Sequence, residues 1–427
     1  MELNASVRRM FWALCIMGAF AILSSTMSKS PVLNPFSASL GTPTEWSGLV
    51  PAASTIPGIL ISLPAASLSD IFGRRRFLLL AALVFASAPF LYLIITAWWQ
   101  LVLVRFYHGF ATAIFVPVAE ASIAELFPTK RGERISLFTS ATYVGRLVAP
   151  TLGAYILVAT NSGLTYTNFY VLYLAVGVAG VMALIMALAF VAGKQQPRAM
   201  QQLKAKEAAG HMLRGWGTVL GNGGALAVSL VQASQYYAYG AFEFFLTGYL
   251  TQHLHYTLLV PGLIGTSLIA VAVFARPLMG HVSDRIGRRI PIVLGCLVSA
   301  LALGAVPFIQ DFATLILLAV VYGFGLATVT ASTSPLMSEL VPGERVGTSM
   351  GFLATTMDIG QTLGPVISGF VLSTSLQYSG VFTSLAFVIL LSCLIFIVSN
   401  VGRKGIVKKR RQRSSGGQLL DRSHGLS

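Results

Sequence analysis

Apolar runs of about 20 residues recur along the chain, separated by short polar breaks rich in Lys and Arg. A helix rises about 1.5 Å per residue, so about 20 apolar residues cross the hydrocarbon of a bilayer. The pattern predicts an all-α membrane protein of twelve transmembrane helices. The first six spans fall near 10–30, 45–68, 76–97, 99–124, 136–158 and 168–192. The second six fall near 222–250, 258–281, 291–309, 312–338, 347–372 and 378–400. The predicted organisation is an N-terminal six-helix half (1–192), a basic cytoplasmic linker (193–221), a C-terminal six-helix half (222–400) and a basic, disordered cytoplasmic tail (401–427). The run from Met10 follows Arg8 and Arg9 as a signal peptide would. It is long, lacks a clear cleavage site and precedes many further spans, so it reads as the first membrane helix.

Composition agrees. Hydrophobic residues make up 55% of the 427 and charged residues 10%, against about 25% charged in a soluble domain. The net charge of +15 raises nucleic-acid binding as a reading. The positive charge sits in short loops on one side, however, so membrane orientation explains it and no nucleic-acid partner is expected. By the positive-inside rule both termini are cytoplasmic, and an even number of spans, which puts both on one side, agrees. The linker reads as solvated, or as an amphipathic helix on the membrane surface. The tail KKRRQRSSGG is placed to touch anionic lipid. Cys15, Cys296 and Cys393 lie far apart inside apolar spans and form neither a zinc spacing nor a CxxC pair. His253 and His255 fall at the outer mouth and read as loop residues. No metal site and no cofactor is predicted.

An internal repeat governs the architecture. Asp70-Ile-Phe-Gly73-Arg74-Arg75 matches Asp284-Arg-Ile-Gly287-Arg288-Arg289, which sets an offset from Asp70 to Asp284. Glu125-Leu-Phe-Pro128 matches Glu339-Leu-Val-Pro342, Gly109 matches Gly323, and Arg131 matches Arg345, all at the same offset. Chance does not hold one offset across four separated places.

Residues 66–76 (ASLSDIFGRRR) and 280–289 (GHVSDRIGRR) resemble the loop signature of major facilitator transporters. LVLVRFYHG (101–109) is similar to that family's fourth-helix signature. Gly145, Pro150 and Gly153 in the fifth helix resemble its antiporter pattern, with Ala149 and Arg146 departing from it. Gly360, Gly364, Pro365 and Gly369 in the eleventh carry the fuller form. The resemblance implies two parallel six-helix halves and alternating access; it implies no substrate. It further implies that Asp70, Gly73, Arg74 and Glu125, with Asp284, Gly287, Arg288 and Glu339, latch the cytoplasmic side in the outward-facing state. Physically, the glycines supply a tight turn and the arginines reach the glutamates. The alternative is that these charges only orient the loops. The Gly/Pro runs permit close packing and bending, as a rocking surface or a static contact.

Ionisable residues inside a membrane are costly and usually functional. Lys29, Arg105, His108, Glu120, Arg146, Glu243 and Asp358 are therefore the candidates for a substrate or proton site. Depth along the helices predicts a Glu120–Arg146 pair, against two separately satisfied residues. Glu243 stands in QASQYYAYGAFEFF, polar enough to face a wet cavity, and leads as a protonation or substrate site, with Asp358 second. The N-terminal half looks cation-rich and suited to an anionic substrate, or to a metal carried as an anionic chelate.

The segments 10–43 and 119–138 resemble magnetosome permeases. That resemblance implies an inner or magnetosome membrane of a magnetic bacterium and a role in supplying iron. The alternatives are an organic-anion or drug/proton antiporter and, from another class, a non-transporting scaffold or sensor. No nucleotide-binding loop of the form GxxxxGKS or GxxxxGKT and no nucleophile–base set occur, so neither ATP-driven transport nor an enzyme is expected. The partners predicted are lipid, a small solute or ion that includes chelated iron, and protons; the oligomeric state stays open.

Overall fold

The computed structural model describes residues 5–160, 167–191, 217, 219–341 and 346–399. Nearly all of the predicted linker, the whole predicted tail and Arg345 lie outside the described residues. Among the described residues no strand occurs, and twelve helices are long. They are α1 (Ala5–Met27), α2 (Ile56–Phe72), α3 (Arg74–Leu91), α4 (Trp98–Leu126), α5 (Arg131–Ala159) and α6 (Thr167–Val191), then α7 (Gly223–Gly248), α8 (Leu259–Ile286), α9 (Arg289–Ala305), α10 (Phe312–Leu340), α11 (Val346–Leu372) and α12 (Gln377–Val398). Short helices at Leu33–Ser39 and Leu49–Ala53 lie between α1 and α2.

Eight of the twelve are long and apolar enough to cross a membrane on those grounds alone. The exceptions are α2, α3, α7 and α11. α2 and α3 have only 17 and 18 residues, and α3 opens on three arginines. α7 carries Gln232, Gln235 and Glu243, and α11 carries Asp358 and Gln361. A helix that faces a wet interior needs less apolar surface than one ringed by lipid.

The first predicted span, 10–30, holds as a helix except for its last three residues. α1 ends at Met27, residues 28–32 turn, and the helix resumes at Leu33. Pro31 has no N–H to continue the ladder. The second predicted span, 45–68, is broken inside its bounds: α2 begins only at Ile56, with Pro57 in its first turn, where a proline is best tolerated. Lys29 and Ser54 therefore sit at helix interruptions.

Packing repeats between the halves. α1 packs on α5 and α6, and α7 on α11 and α12; α4 packs on α2, and α10 on α8. A Cβ on Gly109 would lie 2.3 Å from the Ser54 carbonyl oxygen, and one on Gly323 would lie 2.7 Å from that of Leu268. Ser54 and Leu268 are themselves related by the repeat offset, so the repeat extends to the contacts. The halves meet along α5–α8 and along α11 with α2 and Leu49–Ala53.

α5 and α11 each have two working faces. Gly145 lies against the Ala19 backbone in its own half, while Pro150 meets Gly262 and Gly265 of the other half. Gly360 and Gly364 lie against Ala233 and Tyr237 in their own half, while Pro365 and Gly369 meet Gly48 across the seam. Gly153 packs on Met27 and Ser30.

A Cβ at Gly364 would stand 2.0 Å from the Tyr237 carbonyl oxygen, whereas one at Gly280 meets nothing within 4 Å. We expect Gly364→Ala to destabilise the protein by about 1–3 kcal/mol, and Gly280→Ala to leave it unchanged. Thermal unfolding midpoints in detergent check this; equal midpoints would show that α7 and α11 are not held at backbone distance.

Candidate functional site

The two loop motifs form matching charge clusters. Gly73 and Gly287 have φ of +96° and +91°, which an L side chain rarely adopts. They let the chain turn straight from α2 into α3, and from α8 into α9. Arg74 Nη2 donates to Glu125 Oε1 at 2.7 Å and Nη1 to Ser69 Oγ at 2.7 Å. Arg288 Nε donates to Glu339 Oε1 at 3.2 Å, Nη1 to Ser283 Oγ at 2.6 Å, and the group also pairs with Asp284. The Asp70 side chain lies outside the described residues. Both arginine–glutamate contacts join elements of one half. They are partly exposed, so each contributes about 0–1 kcal/mol.

The seven ionisable residues singled out inside the spans all line one cavity of about 430 Å³ between the halves. α1, α2, α4, α5, α7 and α11 supply its walls. Bonds across the seam run from mid-depth to the face away from the loop motifs. Thr55 and Thr362 share one at 2.6 Å, and Thr151 and Thr266 one at 2.8 Å. Gln252 Nε2 donates to Asn34 Oδ1 at 3.4 Å near the far end. The halves are thus joined on the face away from the motifs.

Arg105 is 1% exposed. Its Nη2 donates to Ser54 Oγ at 2.6 Å, and its Nη1 to Ser28 Oγ at 3.3 Å and the Tyr92 hydroxyl at 3.4 Å. Its Nε has no partner among the described residues. Tyr92 also shares a hydrogen bond with His108 Nδ1 at 3.2 Å and stacks on Tyr173 with ring centroids 4.3 Å apart. His108 Nε2 is buried without a partner among the described residues. The partners of Arg105 are hydroxyls, and no carboxylate among the described residues pairs with it.

The predicted Glu120–Arg146 pair is not formed. Among the described residues no ion pair joins any of Lys29, Arg105, Arg146, Glu120, Glu243 and Asp358. Equal depth on two helices does not fix which way each side chain turns; Arg146 lies over the Tyr143 ring instead, 5.7 Å from its centroid. Asp358 abuts Gly58 of the other half. Lys29 and Glu243 are related by the repeat offset, carry opposite charge, and line both the large cavity and a small pocket beside it. Among the described residues no group of three His, Cys, Asp or Glu could hold a metal ion.

One further charge escaped the sequence reading. Arg276 of α8 donates to the hydroxyls of Tyr143, Tyr236 (3.4 Å) and Thr330 (3.3 Å). The available signal was an arginine inside the apolar run 259–279, shortly before the loop motif's own arginines crowd the sequence.

The profile of the Major Facilitator Superfamily matches residues 13–246 and 228–422. An uncharacterized MFS-type transporter of Methanocaldococcus jannaschii is 21% identical, covering 80% of this chain and 86% of the relative. The multidrug resistance protein MdtG of Serratia proteamaculans is 26% identical over 82% of each. A PmrA homologue of Lactococcus lactis, a multidrug resistance efflux pump, is 24% identical over 73% of this chain and 76% of its own length. Among solved structures, a bacterial homologue of the human lysosomal transporter Spinster, inward-facing and unoccupied, superposes with a TM-score of 0.70 at 17% identity, covering 93% of this chain and 96% of that one. The nucleoside transporter NupG superposes at 0.69 and 14% identity, covering 91% and 99%. These likenesses extend over both halves.

Tyr92→Phe keeps the stack on Tyr173 and removes the hydroxyl that serves both Arg105 and His108. We expect a loss of about 1–3 kcal/mol, the cost of stranding buried polar groups, read as a lower thermal midpoint. An unchanged midpoint would show that these two side chains do not depend on Tyr92.

Proposed function

This chain belongs to the Major Facilitator Superfamily, a membrane transporter family, and on that premise we propose a proton-coupled carrier of small organic anions that works by alternating access. One observation carries the reading. Three cations and three carboxylates line a single cavity shared by both halves, and among the described residues no ion pair joins them. Unpaired charge away from water is costly, so the cavity gains from a charged cargo or from protons. Lys29, Arg105 and Arg146 suit the anionic part of a cargo; Glu243 and Asp358 suit protons. Relatives named as multidrug pumps support an organic cargo.

In this reading the loop-motif face is cytoplasmic, as the distribution of Lys and Arg supports. The Arg74–Glu125 and Arg288–Glu339 clusters stay assembled within each half while the halves are joined on the other face. They dock across the seam when the loop face closes. Asp70→Asn then weakens the closed loop face. A thiol reporter at Thr112→Cys, which lines the cavity, should be labelled faster from the loop side in that variant. Equal labelling rates would remove the latch.

A second cargo, chelated iron for magnetite formation in a magnetosome membrane, is favoured by the resemblance of 10–43 and 119–138 to magnetosome permeases. The cationic wall of the cavity also suits an anionic chelate.

Proteoliposomes carrying an imposed pH gradient test the coupling, with citrate, ferric citrate and ethidium as probes. We expect at least one probe to move with the gradient, and Glu243→Gln to lose that dependence by tenfold or more while gradient-free exchange persists. Gradient-driven transport that is unaltered in Glu243→Gln would exclude Glu243 as the coupling residue.

A further inference from the structure

Arg146 of α5 and Arg276 of α8 face one phenol ring from opposite halves. Their guanidinium carbons lie 5.7 and 5.9 Å from the Tyr143 ring centroid. Arg276 is held by three hydroxyls, from Tyr143, Tyr236 and Thr330. Arg146 donates no hydrogen bond among the described residues, and no carboxylate there lies within ion-pair distance of either guanidinium. Both line a chamber of about 40 Å³ with Tyr143, Tyr236 and Tyr239. Arg146, Tyr236 and Tyr239 also line the large cavity, so the two spaces adjoin. At roughly 10–15 Å³ for each water position, the chamber has room for about three waters or one small charged group.

Two like charges on opposite halves repel strongly where water is scarce. Guanidinium forks match the paired oxygens of carboxylate and phosphate, and one such group placed between the forks satisfies both. We propose that the α5–α8 seam is an oxyanion site, where a carboxylate or phosphate of the cargo bridges Arg146 of the N-terminal half and Arg276 of the C-terminal half. The inference rests on the cavity being the cargo site, and it adds the chemical class of the group bound and a consequence. Filling the chamber offsets both charges and adds a tie across the seam to the Arg276–Tyr143 bond already there; emptying it leaves that single bond against the like charges. Cargo is thereby coupled to movement through α5 and α8.

The experiment uses the full chain in nanodiscs, with spin labels at Gly132→Cys and Gly280→Cys. A Cβ at either position meets nothing within 4 Å, the two lie toward the loop-motif ends of α5 and α8, and the native cysteines are buried. Inorganic phosphate and citrate are titrated separately while the label-to-label distance is measured. In the labelled parent we expect either anion to shorten the distance. Arg146→Gln and Arg276→Gln should each raise the half-effect concentration at least tenfold, and the double variant should be no worse than the weaker single, because one ion serves both. Arg146→Gln removes no internal hydrogen bond among the described residues, so its result stands even if Arg276→Gln folds poorly. A parent-like response in Arg146→Gln, or effects that multiply in the double variant, would overturn the site. If no probe moves with a pH gradient in the unaltered protein while this titration is intact, the proton-coupled reading is removed and the oxyanion site stands.

Discussion

A bilayer offers no water to a charge or an unpaired polar group, and the placement of nearly every polar side chain in this protein follows from that. Lys29, Arg105, His108, Glu120, Arg146, Glu243 and Asp358 come from four different helices and one helix break, yet they converge on one cavity. The same constraint explains why α7 and α11 fall short of the apolar content of their neighbours. Their polar faces turn to the cavity, and their apolar faces pack on α12 and on each other. Arg105 is the extreme case. It is buried to 1% exposure and held by three hydroxyls, with no carboxylate among its partners.

Close backbone approach is the second requirement, and glycine meets it where the motifs place it. Gly145 binds α5 to its own half, as Gly360 and Gly364 bind α11, while Pro150 and Pro365 turn toward the opposite half. One helix therefore belongs to a rigid unit on one side and to a seam on the other. The threonine pairs Thr55–Thr362 and Thr151–Thr266 cross those seams with single hydrogen bonds, each worth only about 1 kcal/mol net. Close backbone approaches occur on both faces, since Gly48 meets Pro365 across the seam as closely as Gly364 meets Tyr237 within a half, and Gly262 meets Pro150 across the seam as well.

Much of this was legible in the sequence because repetition and depth can both be counted. The constant offset between the halves foretold the matching turns at Gly73 and Gly287, and it reaches the paired backbone contacts of Gly109 and Gly323. Apolar spans containing isolated charges named the residues that meet at the cavity. What stayed hidden was azimuth and continuity. Glu120 and Arg146 lie at compatible depths and line the same cavity, but Arg146 lies over the Tyr143 ring and makes no ion pair with Glu120. The breaks at 28–32 and 54–55 do leave marks, the polar run Ser24-Ser25-Thr26-Met27-Ser28-Lys29-Ser30 before Pro31 and the pair Ser54-Thr55 before Pro57, but a span-length hydropathy window averages them away. Arg276 was masked by the basic loop motif that follows it on the same helix.

Lys29 and Glu243 stand at equivalent places in the two halves, with opposite charge. A duplicated scaffold starts with identical chemistry on both walls, and here the pseudo-twofold axis survives in the backbone while the electric field breaks it. The large cavity that both line therefore carries a cation on one wall and a carboxylate at the equivalent place on the other. Opposite charge at two equivalent places is a field that favours one orientation of any solute whose own charges are separated.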